Sequence, residues 1–408
     1  MKVGWSVATG ACTLALLLNA GCGDSAKPGA ADAAPDAEGD GPTPSDGSSS
    51  GADATPGQPE ASADAGADAT LPDGSPAAPP DAGMLDAPSD AAVRTCGNAF
   101  GAGPAATTTM HLDIGVHDPS MIWDGAHYYL FATGGTLGVR RSPDILTWSP
   151  AGTIFSAVPA WITSTLGSTP TDLWAPDISY LGGQFRVYYA GSTFGSNRSV
   201  IGLATNTTLD PNNPAYAWVD QGLVLKSVPS DNFNAIDPSV AFDENCAPWL
   251  TFGSFWSGIK LRKLDPVSGM PATDDTTLHA IASRNGDAIE ASSIIYHDGF
   301  FYLFVSFDAC CQGVNSTYRT MVGRGSHITG PYTDKNGTDM MTGAAEQLLA
   351  SEGRYIGPGG GTAFAHGPGY LYVYHYYDGD DGGASKLQVR PITFDASDWP
   401  VLGDPLFP

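Results

Sequence analysis

Three features of this 408-residue chain predict an all-β fold, a five-bladed β-propeller. A unit recurs five times at intervals of about 60 residues, its runs alternate apolar and polar positions with the period of a strand, and helical periodicity is scarce. No single unit can bury both faces of a sheet, so the copies must pack face to face in a ring. A β-sandwich needs no such long period, and hexapeptide β-helices have a much shorter one.

In chain order, Met1 to Cys22 reads as an export signal. Lys2 supplies its positive end, and the apolar run through Leu14, Leu16, Leu17 and Leu18 is too short to span a bilayer permanently. It closes on Leu18-Asn19-Ala20-Gly21-Cys22, which resembles a bacterial lipobox except at Asn19, with ordinary secretion as the alternative. Residues 23–94 read as a disordered acidic linker: between Asp24 and Arg94 stand 14 acidic residues, two basic ones and no Phe, Tyr, Trp or Ile. Such a stretch cannot bury enough apolar surface to offset its ordering entropy. As a random coil it would act as a tether with a reach of about 45 Å.

Residues 95–408 hold every aromatic residue except Trp5 and carry the propeller. The units are HDPSMIWDGAHYYLFATGG from His117, APDISYLGGQFRVYYAGSTFG from Ala175, IDPSVAFDENCAPWLTFGSFW from Ile236, IEASSIIYHDGFFYLFVSFD from Ile289 and GPGGGTAFAHGPGYLYVYHYYD from Gly357. Each reads as an acidic and a small or Pro residue, an apolar run, a Gly/Asp/Asn turn, an aromatic run and a third strand-like segment. Asp124-Gly125 and Asp298-Gly299 are hairpin turns of this kind. Most of the Tyr, Phe and Trp residues are expected to fill the space between blades.

With 18 Lys+Arg against 43 Asp+Glu the net charge is −25, which disfavours nucleic acid and anionic lipid headgroups and suits a neutral substrate. Beyond the signal four cysteines remain: Cys96, Cys246, Cys310 and Cys311. In an oxidising compartment they allow three pairings, and their spacing matches no zinc pattern.

The first strand of each propeller blade lies nearest the central axis, so residues opening successive units converge there. The markers are Asp118, Asp177, Asp237, Glu290 and Gly360, carboxylates in four of five units. Asp-Pro alone is turn chemistry, as at Asp210-Pro211, Asp265-Pro266 and Asp404-Pro405. Asp118 and Asp237 differ by standing at one register of the repeat. Two carboxyls across a hydroxyl-rich ligand are the minimum apparatus for glycoside hydrolysis, one protonated and one ionised. A third carboxylate raises the acid's pKa by like charge. Trp174, Phe194, Phe255 and Trp256 flank these positions, where aromatic planes can stack on the apolar faces of sugar rings.

The motifs VHDPS, LWAPD, STFG, NAIDPS, TFGSFW, IEA, the Cys-Cys pair, VGR followed by ITGPYTDKNG, and GPGG followed by YHYYD together resemble the endo-1,5-α-L-arabinanases of glycoside hydrolase family 43, from Val116 to Asp378. The resemblance implies a five-bladed propeller that hydrolyses internal α-1,5 linkages of arabinan, the side chain of plant pectin, with inversion. It implies Asp118 as general base, Glu290 as general acid, and Asp237 as the carboxylate that raises and orients the acid. It also implies substrate contacts from Trp174, Asp177, Phe194, Asn234, Ala235, Ile236, Ser254, Phe255 and Trp256. Inversion predicts that the Asp118 and Glu290 carboxyls stand about 6.5–9.5 Å apart.

Two positions depart from the family pattern. Ser292 replaces the Pro usual after Glu-Ala, which loosens the start of that strand. Gly359-Gly360-Gly361 replaces the Gly-His-Asn whose His binds a metal in many bacterial relatives, as in fungal secreted ones. No cofactor is therefore expected to be required. A calcium or other ion there would lack its usual ligand, with His375 the remaining candidate. The expected partner is arabinan or its oligosaccharides, the expected location extracytoplasmic with a lipid anchor at Cys22 or secretion, and the expected state a monomer. The alternatives are an exo-acting α-L-arabinofuranosidase or β-xylosidase on the same fold, and a non-catalytic surface glycan-binding lipoprotein.

Overall fold

Each repeat unit folds into one antiparallel sheet of four strands taken in chain order. Blade 1 holds β1 (Ser120–Trp123), β2 (Tyr128–Phe131), β3 (Gly138–Ser142) and β4 (Ser149–Thr153). Blade 2 holds β5 (Trp174–Leu181), β6 (Gln184–Gly191), β7 (Ser199–Asn206) and β8 (Val219–Ser227). Blade 3 holds β9 (Ser239–Phe242), β10 (Pro248–Phe252), β11 (Ile259–Lys263) and β12 (Leu278–Ala282). Blade 4 holds β13 (Ile289–His297), β14 (Phe300–Phe307), β15 (Arg319–Gly325) and β16 (Glu346–Leu349). Blade 5 holds β17 (Tyr355–His366), β18 (Gly369–Asp378), β19 (Ala384–Phe394) and β20 (Pro400–Leu402). These elements come from a computed structural model that describes Cys96 and residues 100–104, 114–367 and 369–407; the export signal, Cys22 and the acidic linker lie outside the described residues.

Local chemistry sets the inner hairpins. Asp298 and Gly299 both take positive φ, 45° and 86°, the two-residue turn that matches strand twist. At the other such turn the Asp124 carboxylate accepts the N–H groups of Ala126 and His127. A fourth, outermost strand in every blade goes beyond the three segments read from the sequence. Along β4 and β8 it is largely solvent-exposed and so carries little apolar alternation.

Alternation along the second strands builds the core. Tyr129 and Phe131 pack toward blade 2 with Val187 and Tyr189, while Tyr128 and Leu130 pack toward blade 5 with Leu371 and Val373. Tyr188 joins Leu250 and Phe252 between blades 2 and 3, and Leu303 joins Ile259 and Leu261 between blades 3 and 4. Tyr302 and Phe304 meet Tyr370, Tyr372, Tyr374 and Tyr376 between blades 4 and 5. Five clusters thus fill five interfaces, and the Tyr runs are core.

The ring closes where the chain approaches blade 1. Gly115 pairs antiparallel with Lys386 on β19, Val116 N–H donates to Ser385 O, and Leu387 N–H donates to Ile114 O. Of the three cysteine pairings, the molecule adopts Cys96–Cys246 and Cys310–Cys311.

Candidate active site

A left-handed residue marks the axial start of every blade: Asp118 (φ 47°), Ala175 (43°), Asp237 (55°), Ala291 (51°) and Gly360 (58°). In blades 2, 4 and 5 the pairing register slips at this residue, a bulge that re-aims the flanking side chains. The true five-fold equivalents of Asp118 are therefore Ala175, Asp237, Ala291 and Gly360. Glu290 precedes its equivalent by one residue, and Asp177 follows its own by two. Markers chosen by charge miss a one- or two-residue slip, and in a bulged strand that slip changes where the side chain goes.

Asp177 sits on the ring formed two residues further on, with Ser120, Ser239, Ser293 and Thr362. Its Oδ2 accepts the Val240 N–H of blade 3 at 2.8 Å and its Oδ1 accepts the Ser120 hydroxyl of blade 1 at 3.1 Å. Ser120 Oγ in turn accepts the Ile178 N–H, and Ser293 Oγ the Ala363 N–H. These side chains staple neighbouring blades. Asp177 is buried in the axial channel and does not line the cleft described below, contrary to its expected sugar contact. Ala235 also lies off the cleft, fully buried, its N–H donated to Ser227 Oγ. Ser292 forms a buried hydrogen bond with Thr251 at 2.8 Å, which anchors the start of β13 where the expectation was loosening.

Three carboxyls meet at the upper end of the channel. Asp118 Oδ2 contacts His117 Nδ1 at 2.8 Å and accepts the Thr133 hydroxyl at 2.7 Å, and its backbone N–H donates to His375 Nδ1 at 3.1 Å. Burial alone would push the Asp118 carboxyl up; the charge and hydrogen bond of His117, the nearby His375 and the Thr133 hydroxyl outweigh it and hold the group down at about 2. Glu290 is driven the other way. Burial raises it, with help from the Asp118 charge, against hydrogen bonds from Ser254 Oγ (2.6 Å) and the Tyr318 hydroxyl. Burial and the charges of Glu290 and Asp118 push Asp237 well up too, while its Oδ2 accepts the Ala291 N–H at 3.1 Å. One carboxyl is held low while its two neighbours are pushed up, the ordering acid–base chemistry requires.

Above them opens a cleft of about 570 Å³. Trp174, Phe194, Asn234, Ile236, Ser254, Phe255, Trp256 and Glu290 line it, together with Thr193, Gly195, Ser196, Gly286, Asp308, Ala309, Cys310 and Gln312. Phe194 is 79% exposed, a rim residue and not core. Phe255 and Trp256 take positive φ, 50° and 38°, which turns the tip of the third unit toward the opening. Asn234 is held from below by the Ser199 hydroxyl.

A family model described as Glycosyl hydrolases family 43 matches residues 112–400. The chain belongs to that family. The extracellular endo-α-(1→5)-L-arabinanase 1 of Bacillus subtilis (strain 168) is 43% identical over 291 residues, covering 70% of this chain and 87% of the relative. The extracellular exo-α-(1→5)-L-arabinofuranosidase ArbA of Cellvibrio japonicus (strain Ueda107) is 39% identical over 304 residues, covering 71% and 87%. Among solved structures, a Cellvibrio cellulosa α-L-arabinanase complexed with arabinohexaose superposes with a TM-score of 0.68 at 38% identity, covering 71% of this chain and 96% of that one. Like the other members of family 43, the protein is a glycoside hydrolase.

Within this family 43 site, the position expected to bear a metal-binding His is Gly360. A Cβ there would lie 2.5 Å from Asp118 Oδ1 and 2.6 Å from His375 Cε1, so the backbone leaves no room for a side chain. His117, Asp118 and His375 offer two imidazoles and one carboxylate. That set does not fit calcium, which takes six to eight oxygens, and both Nδ1 atoms already face Asp118. The residues that sequence reasoning missed are His117, inside the quoted VHDPS, Tyr377, inside the quoted YHYYD, and Thr133 and Tyr318, which carry no local motif.

Proposed function

We propose that the protein is an endo-acting arabinanase that hydrolyses internal α-1,5-arabinofuranosyl linkages with inversion. The observation that carries this reading is the contrast between Asp118, held low on the axial pocket it lines with Asp237 and Gly360, and Glu290, pushed up where it lines the aromatic-rimmed cleft. Asp118 takes a proton from water as the water oxygen bonds to the anomeric carbon. Glu290 gives its proton to the leaving glycosidic oxygen as that bond breaks. Asp237 orients the acid and repels loss of its proton. Trp174, Phe194, Phe255 and Trp256 offer faces for sugar rings, and Asn234 and Ser254 offer polar contacts. The reaction draws on no cofactor.

Arabinan in plant pectin is the substrate on this reading. The enzyme works outside the cytoplasm as a monomer, on a lipid anchor at Cys22 or secreted. The Leu-rich run before Cys22 and the extracellular relatives support export. Closure of blade 5 onto the chain at Gly115 supports the monomer. The experiment is hydrolysis of linear arabinan with product lengths followed over the first few per cent of conversion. Mixed oligosaccharides are expected, and Glu290→Gln or Asp118→Asn should lower the rate by roughly 10²–10⁴. A single sugar from the start would replace this reading by the exo one, which the Cellvibrio japonicus relative favours. Near-normal turnover by either variant would remove the assigned roles.

A further inference from the structure

Cys310 and Cys311 are adjacent and joined to each other, and Cys310 lines the cleft. The bond closes a small covalent ring around one peptide. Cys311 takes φ 65°, a left-handed conformation that a non-Gly residue keeps only where its surroundings hold it. In that conformation its N–H donates to Tyr377 Oη at 2.7 Å. Tyr377 Oη meets His117 Nε2 at 2.8 Å, and His117 Nδ1 meets Asp118 Oδ2 at 2.8 Å. The Cys311 sulfur lies 3.7 Å from the same His117 Nε2, and the His117 ring stacks on buried His375 with centroids 3.9 Å apart. One chain of contacts therefore runs from the disulfide ring to the carboxylate, across elements 66 and 260 residues apart in sequence.

We propose that the Cys310–Cys311 ring and Tyr377 are a positioning device for the Asp118 carboxylate, acting through His117. The proposal rests on the reading of Asp118 as general base. The ring holds Cys311 N–H against Tyr377, Tyr377 fixes the His117 ring, and His117 aims Asp118 Oδ2. Asp118 Oδ1, 3.7 Å from His375 Nδ1, makes no shorter contact with a titratable group among the described residues and is left to meet water. The charged or titratable groups facing Asp118 are His117, His375, Asp237, Glu290, Tyr318 and Tyr377. Of these, only His117 holds the carboxylate by a side-chain contact at hydrogen-bond distance. Loosening it weakens the charge-assisted bond that keeps Asp118 ionised, so its pKa rises.

The test compares Tyr377→Phe and the double variant Cys310→Ser/Cys311→Ser with wild type on linear arabinan. Expected in both are a fall in kcat of about 10-fold, an unchanged KM, and an acid limb of kcat/KM that lies higher in pH than that of wild type. In a Cys96→Ser/Cys246→Ser background the vicinal pair is the one disulfide left among the described residues. There dithiothreitol, which gives two electrons and two protons to open the bond as it becomes a cyclic disulfide, should reproduce the same change. Wild-type kcat and acid limb in Tyr377→Phe would overturn the proposal, as would a KM-only effect in the double variant, which would make the ring a sugar contact. Failure of the base assignment is distinct: it appears as activity retained by Asp118→Asn.

Discussion

Asp177 is a carboxyl buried between two blades with two neutral donors, the Ser120 hydroxyl and the Val240 N–H. Burial raises its pKa from 3.8 to about 7 against those hydrogen bonds. The folded state thus holds a proton that the unfolded chain has released anywhere between those values. Stability is favoured by this group at and below pH 4, falls by about 1.4 kcal/mol per pH unit as pH rises toward 7, and then levels off, a loss on the order of 1–4 kcal/mol. Asp177→Asn keeps an acceptor for Val240 without the charge. Its melting temperature relative to wild type should therefore be higher at pH 8 than at pH 5, and a difference independent of pH would show that Asp177 stays ionised. At this scale Asp118 and Asp237 were legible because Asp-Pro recurred at one register. The roles of Tyr377 and Tyr318 were not, because their contacts join strands distant in sequence, and YHYYD marks Tyr377 without showing what it meets.

The left-handed turn that starts each blade, bulged in blades 2, 4 and 5, is the element that turns a repeat into a site. It holds a left-handed residue in all five blades, four of them non-Gly. Such residues persist where surrounding structure over-determines them. Only blade 5 uses Gly, where Asp118 and the His375 ring occupy the space a Cβ would need. Gly360→Ala should therefore displace the Asp118 carboxyl or His375 and lower kcat at least 10-fold while cooperative unfolding is kept. Unchanged kcat would mean that the site tolerates the shift. Strand number was only partly legible: the inner strands announce themselves by apolar alternation, whereas β4 and β8, wet on most positions, do not. Register within the bulges was not legible at all, since Glu290 and Asp177 look equivalent to Asp118 by charge and differ only in where the extra residue falls.

Across the whole molecule, stapling and closure hold the ring. The Cys96–Cys246 bond ties the chain ahead of blade 1 to blade 3 across a separation of 150 residues. Cys96 stands at the end of the axial channel away from the cleft, beside Ile122, Ile178 and Phe242. Phe100 adds a second attachment, packing on Tyr180 and Phe185 of blade 2. A bond closing so long a loop constrains the unfolded chain most, so Cys96→Ser/Cys246→Ser should lose about 2–4 kcal/mol of stability in denaturant melts. Its kcat should match wild type, because the bond touches none of the carboxyls. Lost activity with unchanged stability would reverse that assignment of roles.

The amino-acid sequence by itself determined the five-fold repeat, the burial of the aromatic runs and the presence of Asp118, Asp237 and Glu290 at the axial ends of their units. Those properties live in composition and short-range period, which the folded chain obeys blade by blade. Tertiary structure alone decided that Asp177 is a staple, that His375 fills the space beside Gly360, and that Cys310 pairs with Cys311 and reaches Asp118 through Tyr377 and His117. Each of these depends on which side chains meet across blade boundaries. A bulge of one residue redirects a side chain without changing the pattern along the chain, so contacts of that kind exist only once the ring has closed.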